Sequence, residues 1–139
     1  MSRTGRKNNK KMKISIEFTN FDKAVDVELN NSLSPKTVKA ILNALPLRVK
    51  INRWGDELYT DKTPIVAEEE NARSVVDLLD VAYWPEGHSL CLFYGPTPIS
   101  KSPDKILAYS PVNIVGKIIS KNNILNHIKR NTIVTISKE

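Results

Sequence analysis

Aromatic side chains near turns are the first candidates for chemistry in this sequence. More than half of the nine aromatic residues lie near glycine or proline turns: Trp54, Tyr59, Trp84, Phe93 and Tyr94. A flat ring with a polar edge is suited to the wall of a site for a proline ring or an extended peptide. Packing of the same rings in an ordinary core is the alternative, and both interpretations stay open at this point.

Charged residues flank one of these rings. Arg53, Asp56 and Glu57 stand next to Trp54. Such groups can orient the backbone of a bound ligand, and a cluster of surface ion pairs is the alternative. We therefore place Arg53, Trp54, Glu57, Tyr59, Trp84 and Tyr94 in a predicted ligand-binding set.

Other kinds of site find no support in the residue spacing. His88, His127 and the single thiol of Cys91 do not have the spacing of a zinc site. The three consecutive carboxylates Glu68–Glu70 cannot face one cation, so we interpret them as solvated. Ser89 lacks a nucleophile elbow, and the five glycines form no phosphate-binding motif. We predict no metal and no cofactor.

The positive charge of the chain is concentrated at its ends. The net charge of the 139 residues is +6, and residues 1–13 alone carry six basic and no acidic side chains. Residues 117–139 are also basic, so the segment between them is acidic. Basic ends can bind nucleic acid weakly and without sequence specificity through its phosphates. A flexible, solubilising tail is the alternative for residues 1–11, which we expect to form a disordered arm because they lack apolar periodicity.

Composition also bears on the compartment. A single cysteine cannot form an internal disulfide, which favours a reducing compartment, and we predict the cytoplasm. The sequence has no apolar run of membrane-spanning length and no apolar segment typical of a secretion signal, so no membrane contact is expected.

Period-two alternation predicts most of the elements that must position these residues. Met12 to Phe18 and Val25 to Leu29 alternate with polar residues and predict a hairpin. Ser34 and Pro35 then predict a helix start, in which the serine oxygen accepts a hydrogen bond from a free backbone amide. The helix covers residues 34–45, because Val38, Ile41, Leu42 and Leu45 form one stripe.

The remaining segments are short and β-rich. Strands are predicted after Pro46, around Leu58 and Pro64, at Leu90 to Tyr94 and at Val112 to Ile119, with a short helix and a strand in the last nineteen residues. Many short strands with one helix favour a mainly β fold, closed into a barrel so that no strand edge is exposed. We predict a barrel over residues 12–119 and a C-terminal extension over 120–139.

Four blocks of sequence resemble, in order, motifs of the short prokaryotic cyclophilin-like proteins. They are residues 52–59 (NRWGDELY), 80–85 (DVAYWP), 93–98 (FYGPTP) and 110–116 (SPVNIVG), and the helix start at 34–42 resembles the first helix of cyclophilins. The resemblance implies an eight-stranded barrel with a helix at one open end and a substrate cleft on the outer wall. Thr97 and Asn113 lie in these blocks, and we add them to the ligand-binding set.

The resemblance also raises peptidyl-prolyl isomerase activity. Isomerase cyclophilins use an arginine that hydrogen-bonds the prolyl imide, and Arg48, within Pro46-Leu47-Arg48-Val49, is similar to it and is predicted to be catalytic. Other isomerase positions do not match, because leucine and valine stand at Leu90 and Val112 where glutamine and histidine are expected. Enzymatic activity is therefore left open.

The leading hypothesis combines these predictions. The protein is expected to bind an extended peptide, with or without proline, or a small ligand in a cleft on the barrel wall. The alternative is a non-enzymatic protein that associates with nucleic acid through its basic ends or serves in an assembly as an oligomer.

Overall fold

The computed structural model of the protein describes residues 11–121 and 123–139. Of the predicted basic arm, residues 1–10 lie outside the described residues, and Lys11 already begins the first strand. The strands are β1 Lys11–Phe18, β2 Ala24–Asn30, β3 Leu47–Trp54, β4 Glu57–Thr60, β5 Arg73–Val76, β6 Asp80–Trp84, β7 Ser89–Phe93, β8 Ile106–Ile118 and β9 Ile133–Lys138. The helices are α1 Pro35–Ala44 and a 3-10 helix at Ile124–His127.

Eight of the strands form a closed antiparallel barrel in the order β2-β1-β9-β3-β4-β7-β6-β8. Pairing of Val27 with Ile118 and of Leu29 with Gly116 joins the last strand to the first and closes the ring. The strand β5 lies outside the ring, where it pairs with the first half of the long strand β8. The predicted eight-stranded barrel with one helix is confirmed, and closure explains how its edges are protected.

The C-terminal segment differs from its prediction as an extension outside the barrel. The strand β9 lies between β1 and β3, with Ile136 opposite Ile16 and Val134 opposite Val49. Val134 and Ile136 are buried in the interior, so their alternation fills the barrel in the same way as that of β1. Without β9 the edges of β1 and β3 would be unpaired, and for this reason the barrel needs residues beyond 119.

The start of α1 also differs from the prediction. Ser34 makes no capping hydrogen bond with its side chain and instead donates to the backbone oxygen of Glu70 at 3.3 Å. The Glu70 carboxylate accepts hydrogen bonds from the backbone amides of Lys36 and Thr37, at 3.1 and 2.9 Å. An anion at this position satisfies free amides and complements the helix dipole. Glu70 is thus the helix cap, whereas Glu68 and Glu69 are exposed as predicted.

Two apolar clusters lie on opposite faces of the barrel wall. The inner cluster fills the barrel and includes Val81, Tyr83, Leu90 and Leu92 of β6 and β7. The alternate residues of the same strands point outward, and they form an outer cluster with β5 and the first half of β8. Its buried members are Val76, Ala82, Cys91, Phe93, Ile106, Ala108 and Val112. Burial on both faces explains the continuous apolar run of β7.

Two further observations on the described residues concern membranes and metal ions. Among the described residues, no helix combines the length and the apolar character that crossing a membrane requires. Within residues 11–121 and 123–139, no group of three or more His, Cys, Asp or Glu side chains is placed to hold a metal ion.

Candidate functional site

A cavity of about 360 Å³ opens on the outer face of the barrel wall, next to the outer cluster. Strands β3, β4, β6, β7 and β8 all contribute to it. Its lining residues are Trp54, Glu57, Tyr59, Trp84, Cys91, Ala108, Tyr109, Ser110 and Val112. The cavity is therefore walled by four aromatic rings and contains one carboxyl group.

A tight turn brings two of these residues together. Trp54 and Glu57 are direct partners in the β3–β4 hairpin, with Gly55 and Asp56 between them. Gly55 has a φ of 62°, and a Cβ on it would lie 2.7 Å from Cδ of Pro98. Only glycine suits both this backbone conformation and this close approach. The turn thus fixes an indole and a carboxyl side by side at the cavity.

Three aromatic rings form the mouth of the cavity. Tyr109 is 72% exposed and stands nearly perpendicular to both indoles, with ring centroids 6.1 Å from Trp54 and 5.9 Å from Trp84. The Trp84 Nε1 donates to Oγ of Ser110 at 2.5 Å, and that hydroxyl donates to Glu86 at 2.8 Å. The Trp84 indole is therefore held in orientation by a chain of hydrogen bonds that ends on a carboxylate.

Glu57 is the polar group inside the cavity. Glu57 is only 6% exposed. Tyr59 of the same strand and Cys91 of β7 also line the cavity. Burial raises the pKa of Glu57 to about 7, and a hydrogen bond from the Cys91 thiol offsets part of this effect. Burial and the nearby Glu57 carboxyl raise the pKa of the Cys91 thiol, so the thiol stays protonated at neutral pH.

The buried Glu57 carboxyl faces no cationic side chain. Within the described residues, the ion pairs are Lys11 with Glu28 and Lys117 with Asp80, and neither involves Glu57. The residues that line the cavity include no lysine and no arginine. A buried acid without a positive partner is unusual, because desolvation makes its charged form costly.

Four of the predicted ligand-binding residues meet in this cavity, namely Trp54, Glu57, Tyr59 and Trp84. Arg53 and Tyr94 lie elsewhere. The Arg53 guanidinium donates to the backbone oxygens of Leu125 and Ile128, at 2.8 and 2.9 Å, and to the Tyr94 hydroxyl. The pair fastens the 3-10 helix to the barrel, which gives both residues a structural contact.

Thr97 and Asn113 are also outside the cavity. The Thr97 hydroxyl donates to the Leu107 oxygen at 2.5 Å and so fixes the loop before β8. Asn113 is fully buried: its oxygen accepts from the Glu70 amide at 2.8 Å, and its amide group donates to Thr37 at 3.0 Å. Both side chains are engaged in hydrogen bonds that hold loops in place.

Arg48, the predicted catalytic residue, does not line the cavity. It is exposed on β3, opposite Thr135 of β9. Six residues separate it from Trp54 on the same strand, a distance of roughly 20 Å at about 3.3 Å per residue. Arg48 is therefore not among the residues that meet at the cavity.

Several lining residues were not found from the sequence. Cys91 lies in the apolar run of β7. Such a run indicates a strand that is buried on both faces, and this signal could have placed Cys91 against β4. Tyr109 gave no signal and Ser110 only its place in the block 110–116, because the approach of both residues to the cavity depends on the fold of the first half of β8 over the outer wall.

Comparison with known proteins agrees with this architecture. A family model described as cyclophilin-like matches residues 11–137. The chain belongs to the cyclophilin-like family. The match extends through most of β9, in agreement with the place of that strand in the barrel, and the resemblance that the four sequence blocks indicated is confirmed.

One solved structure is similar over nearly the whole chain. It is the solution structure of a hypothetical protein from Archaeoglobus fulgidus, which is 39% identical, with a TM-score of 0.80. The alignment covers 95% of this chain and 98% of that one. No curated protein matches the sequence.

Proposed function

We propose that this cyclophilin-like protein binds an extended peptide, with or without proline, or a small ligand in the outer cavity. The observation that carries the proposal is the convergence of Trp54, Tyr59, Trp84 and Tyr109 around one buried carboxyl. A concave, largely aromatic site with few polar groups is the usual form of a ligand-binding site. The volume of about 360 Å³ lies within the range of small-molecule sites.

The geometry favours binding over arginine-assisted isomerisation. Rotation about a prolyl bond is accelerated when a donor disturbs the resonance of the imide, and the barrier to be lowered is about 18–20 kcal/mol. Arg48 does not line the cavity, so it is not among the groups placed to donate to a proline held there. Recognition without isomerase activity is thus the form of the hypothesis that we propose.

The nucleic-acid alternative has less support. Lys117 of the basic C-terminal segment is paired with Asp80 at 2.9 Å, which reduces the free positive charge of that segment. We propose the cytoplasm as the site of action, and the buried free thiol of Cys91 is compatible with that compartment.

The chain offers a direct test, because both of its tryptophans line the cavity. Tryptophan fluorescence and the two indole N–H signals in NMR spectra therefore report on it. We expect proline-containing tetrapeptides and neutral aromatic fragments to shift both indole signals, and we expect Tyr109→Ala to weaken this binding about tenfold. Arg48→Ala is the control and should leave it unchanged.

An isomerisation assay with a proline peptide separates binding from catalysis. The protein should not accelerate the reaction at micromolar concentrations. Acceleration that Arg48→Ala abolishes would overturn our assignment, as would ligand binding that leaves both indole signals in place.

A further inference from the structure

The strongest unexplained feature of the cavity is the Glu57 carboxyl. Glu57 is only 6% exposed, and it lies in a wall that consists mainly of aromatic rings and apolar groups, with Ser110 and Cys91 as the other polar residues. The polar partner that it has is the Cys91 thiol, a weak donor. A carboxylate in such a place is stabilised by a cation, and the part of the chain that the structure describes supplies none there.

The rings around Glu57 have the chemistry that a cation requires. The faces of tryptophan and tyrosine attract organic cations through their quadrupoles, and tryptophan is the strongest of the side chains in this respect. Trp54 and Trp84 flank Tyr109 at centroid distances of 6.1 and 5.9 Å, with interplanar angles of 81° and 79°. Nearly perpendicular rings of this kind can face one methyl-sized group from different sides.

A second carboxylate stands near the mouth. Glu86 accepts a hydrogen bond from Ser110, which in turn accepts one from the Trp84 indole. Negative charge inside the cavity and at its mouth attracts a positively charged ligand and disfavours an anion.

We propose that the outer cavity binds an organic cation, with an alkylammonium group placed against the Glu57 carboxylate and among the rings of Trp54, Trp84 and Tyr109. The inference rests on the proposed function of the same cavity and names its ligand class. The ammonium group belongs either to a free amine or to a lysine side chain of a bound peptide. The chemistry of recognition is the same for both sources.

Proton linkage gives the inference a second readout. The other titratable or charged groups at the cavity are Tyr59 on β4, Cys91 on β7, Tyr109 on β8 and Glu86 in the turn after β6. A cation prefers the ionised form of Glu57, so its affinity rises with pH through the pKa of about 7. Between pH 5.5 and pH 8.5 the ionised fraction grows about 30-fold. Because a cavity with the neutral acid keeps about one tenth of the affinity, the affinity for the cation should rise about eightfold over this interval.

The test compares a cation with a neutral molecule of the same shape. Full-length protein is titrated with choline and with 3,3-dimethyl-1-butanol, and tryptophan fluorescence is the readout. At pH 8.5 we expect choline to bind at least about tenfold more tightly. Glu57→Gln should weaken choline binding about tenfold, leave the alcohol within about twofold and remove the pH dependence.

Matched variants exclude indirect effects. Glu69→Gln removes a carboxylate from an exposed position and should leave choline binding unchanged. Thermal unfolding of each variant verifies that it is folded. A peptide acetyl-Gly-Lys-Gly-amide and its trimethyl-lysine form distinguish the sources: tighter binding than choline indicates a lysine of a partner chain, and weaker binding indicates a free amine.

Two results would overturn the inference. Equal affinity for choline and for its neutral analogue would show that the cavity does not select a cation, while leaving the proposed binding function intact. Choline binding that survives Glu57→Gln with the same affinity and pH dependence would place the cation elsewhere. If neither these ligands nor the proline peptides and aromatic fragments changed the indole signals, the proposed function itself would fail.

Discussion

Two regions of this protein, the start of α1 and the outer cavity, each contain a partly or fully buried glutamate. They differ in the hydrogen-bond partners that the protein supplies to the glutamate carboxyl. At the start of α1, the Glu70 carboxylate accepts hydrogen bonds from two backbone amides and from the Thr37 hydroxyl, the last at 2.8 Å. In the outer cavity, Glu57 is more deeply buried and faces rings and a thiol. Desolvation acts to raise the pKa of Glu70, but these hydrogen bonds outweigh it and lower the pKa below its ordinary value. The pKa of Glu57 is raised.

The difference separates a carboxylate that the fold itself stabilises from one that receives only a thiol hydrogen bond. Glu70 obtains its hydrogen bonds when the chain folds, so its charge helps to hold α1 in place. Burial of Glu57 opposes folding once the group is ionised, and no contact among the described residues compensates for this with positive charge. Natural proteins keep such a cost mainly where a site needs it.

The largest expected effect on the free energy of unfolding tests the hydrogen-bond network around Glu70. Asn113→Ala removes the side chain that bridges Glu70, Thr37 and the Glu68 oxygen, and it leaves buried groups unpaired. We expect the free energy of unfolding to fall by about 4 kcal/mol. Urea unfolding measures this, with Asn43→Ala on the exposed side of α1 as a control that should change stability by no more than about 0.5 kcal/mol. A small effect of Asn113→Ala would show that the network is loose.

The next prediction concerns Glu57 and has the opposite sign. The folded protein keeps the Glu57 proton up to about pH 7, whereas the unfolded chain releases it near the ordinary glutamate pKa of 4.5. The contribution of Glu57 to stability is therefore fully present at acid pH and is lost as pH rises through this interval, by about 3 kcal/mol in all. Glu57→Gln should be more stable than the wild type by about this amount at pH 8 and equal to it at pH 4.5.

Urea unfolding at the two pH values measures the Glu57 effect, and Glu69→Gln serves as the exposed control. If Glu57→Gln were destabilising at pH 8, the carboxylate would have a favourable partner in the folded state, and the contrast with Glu70 would disappear.

The smallest effect sharpens the role of the helix cap. Glu70→Ala removes the acceptor of the Lys36 and Thr37 amides and should lower the free energy of unfolding by about 1.5 kcal/mol. The same substitution at the exposed neighbour Glu69 should have almost no effect, which urea unfolding of the pair would show. Equal effects at both positions would mean that general charge, and not the cap geometry, is responsible.

Much of the fold could be predicted from local patterns. Alternation at period two located β1, β2 and β3, and the Val38–Ile41 stripe located α1, because burial on one face imposes a period on the sequence. The place of β9 was missed, since the neighbour of a strand is chosen by distant pairing that leaves little trace in local sequence. The same limit applies to the helix cap, where Ser34 had the right residue type but Glu70 supplied the acceptor.

The candidate site divides in the same way. The aromatic and acidic residues around the Gly55 turn were identified from their types and their position, because tight turns and amphipathic rings carry chemical meaning locally. The sequence could not predict which side chains line the same cavity. Arg48 and Arg53 had suitable chemistry but do not line it, whereas Tyr109 does.

The sequence alone determined the mainly β character, the glycine turn beside Trp54 and the family resemblance, since these depend on residue types and short spacings. The tertiary structure alone decided which side chains share a cavity and which carboxylate lacks a cationic partner among the described residues. Both depend on contacts between strands that are far apart in the chain, such as β4 and β8. Burial and pKa follow from those contacts, because desolvation is a property of the surroundings and not of the residue.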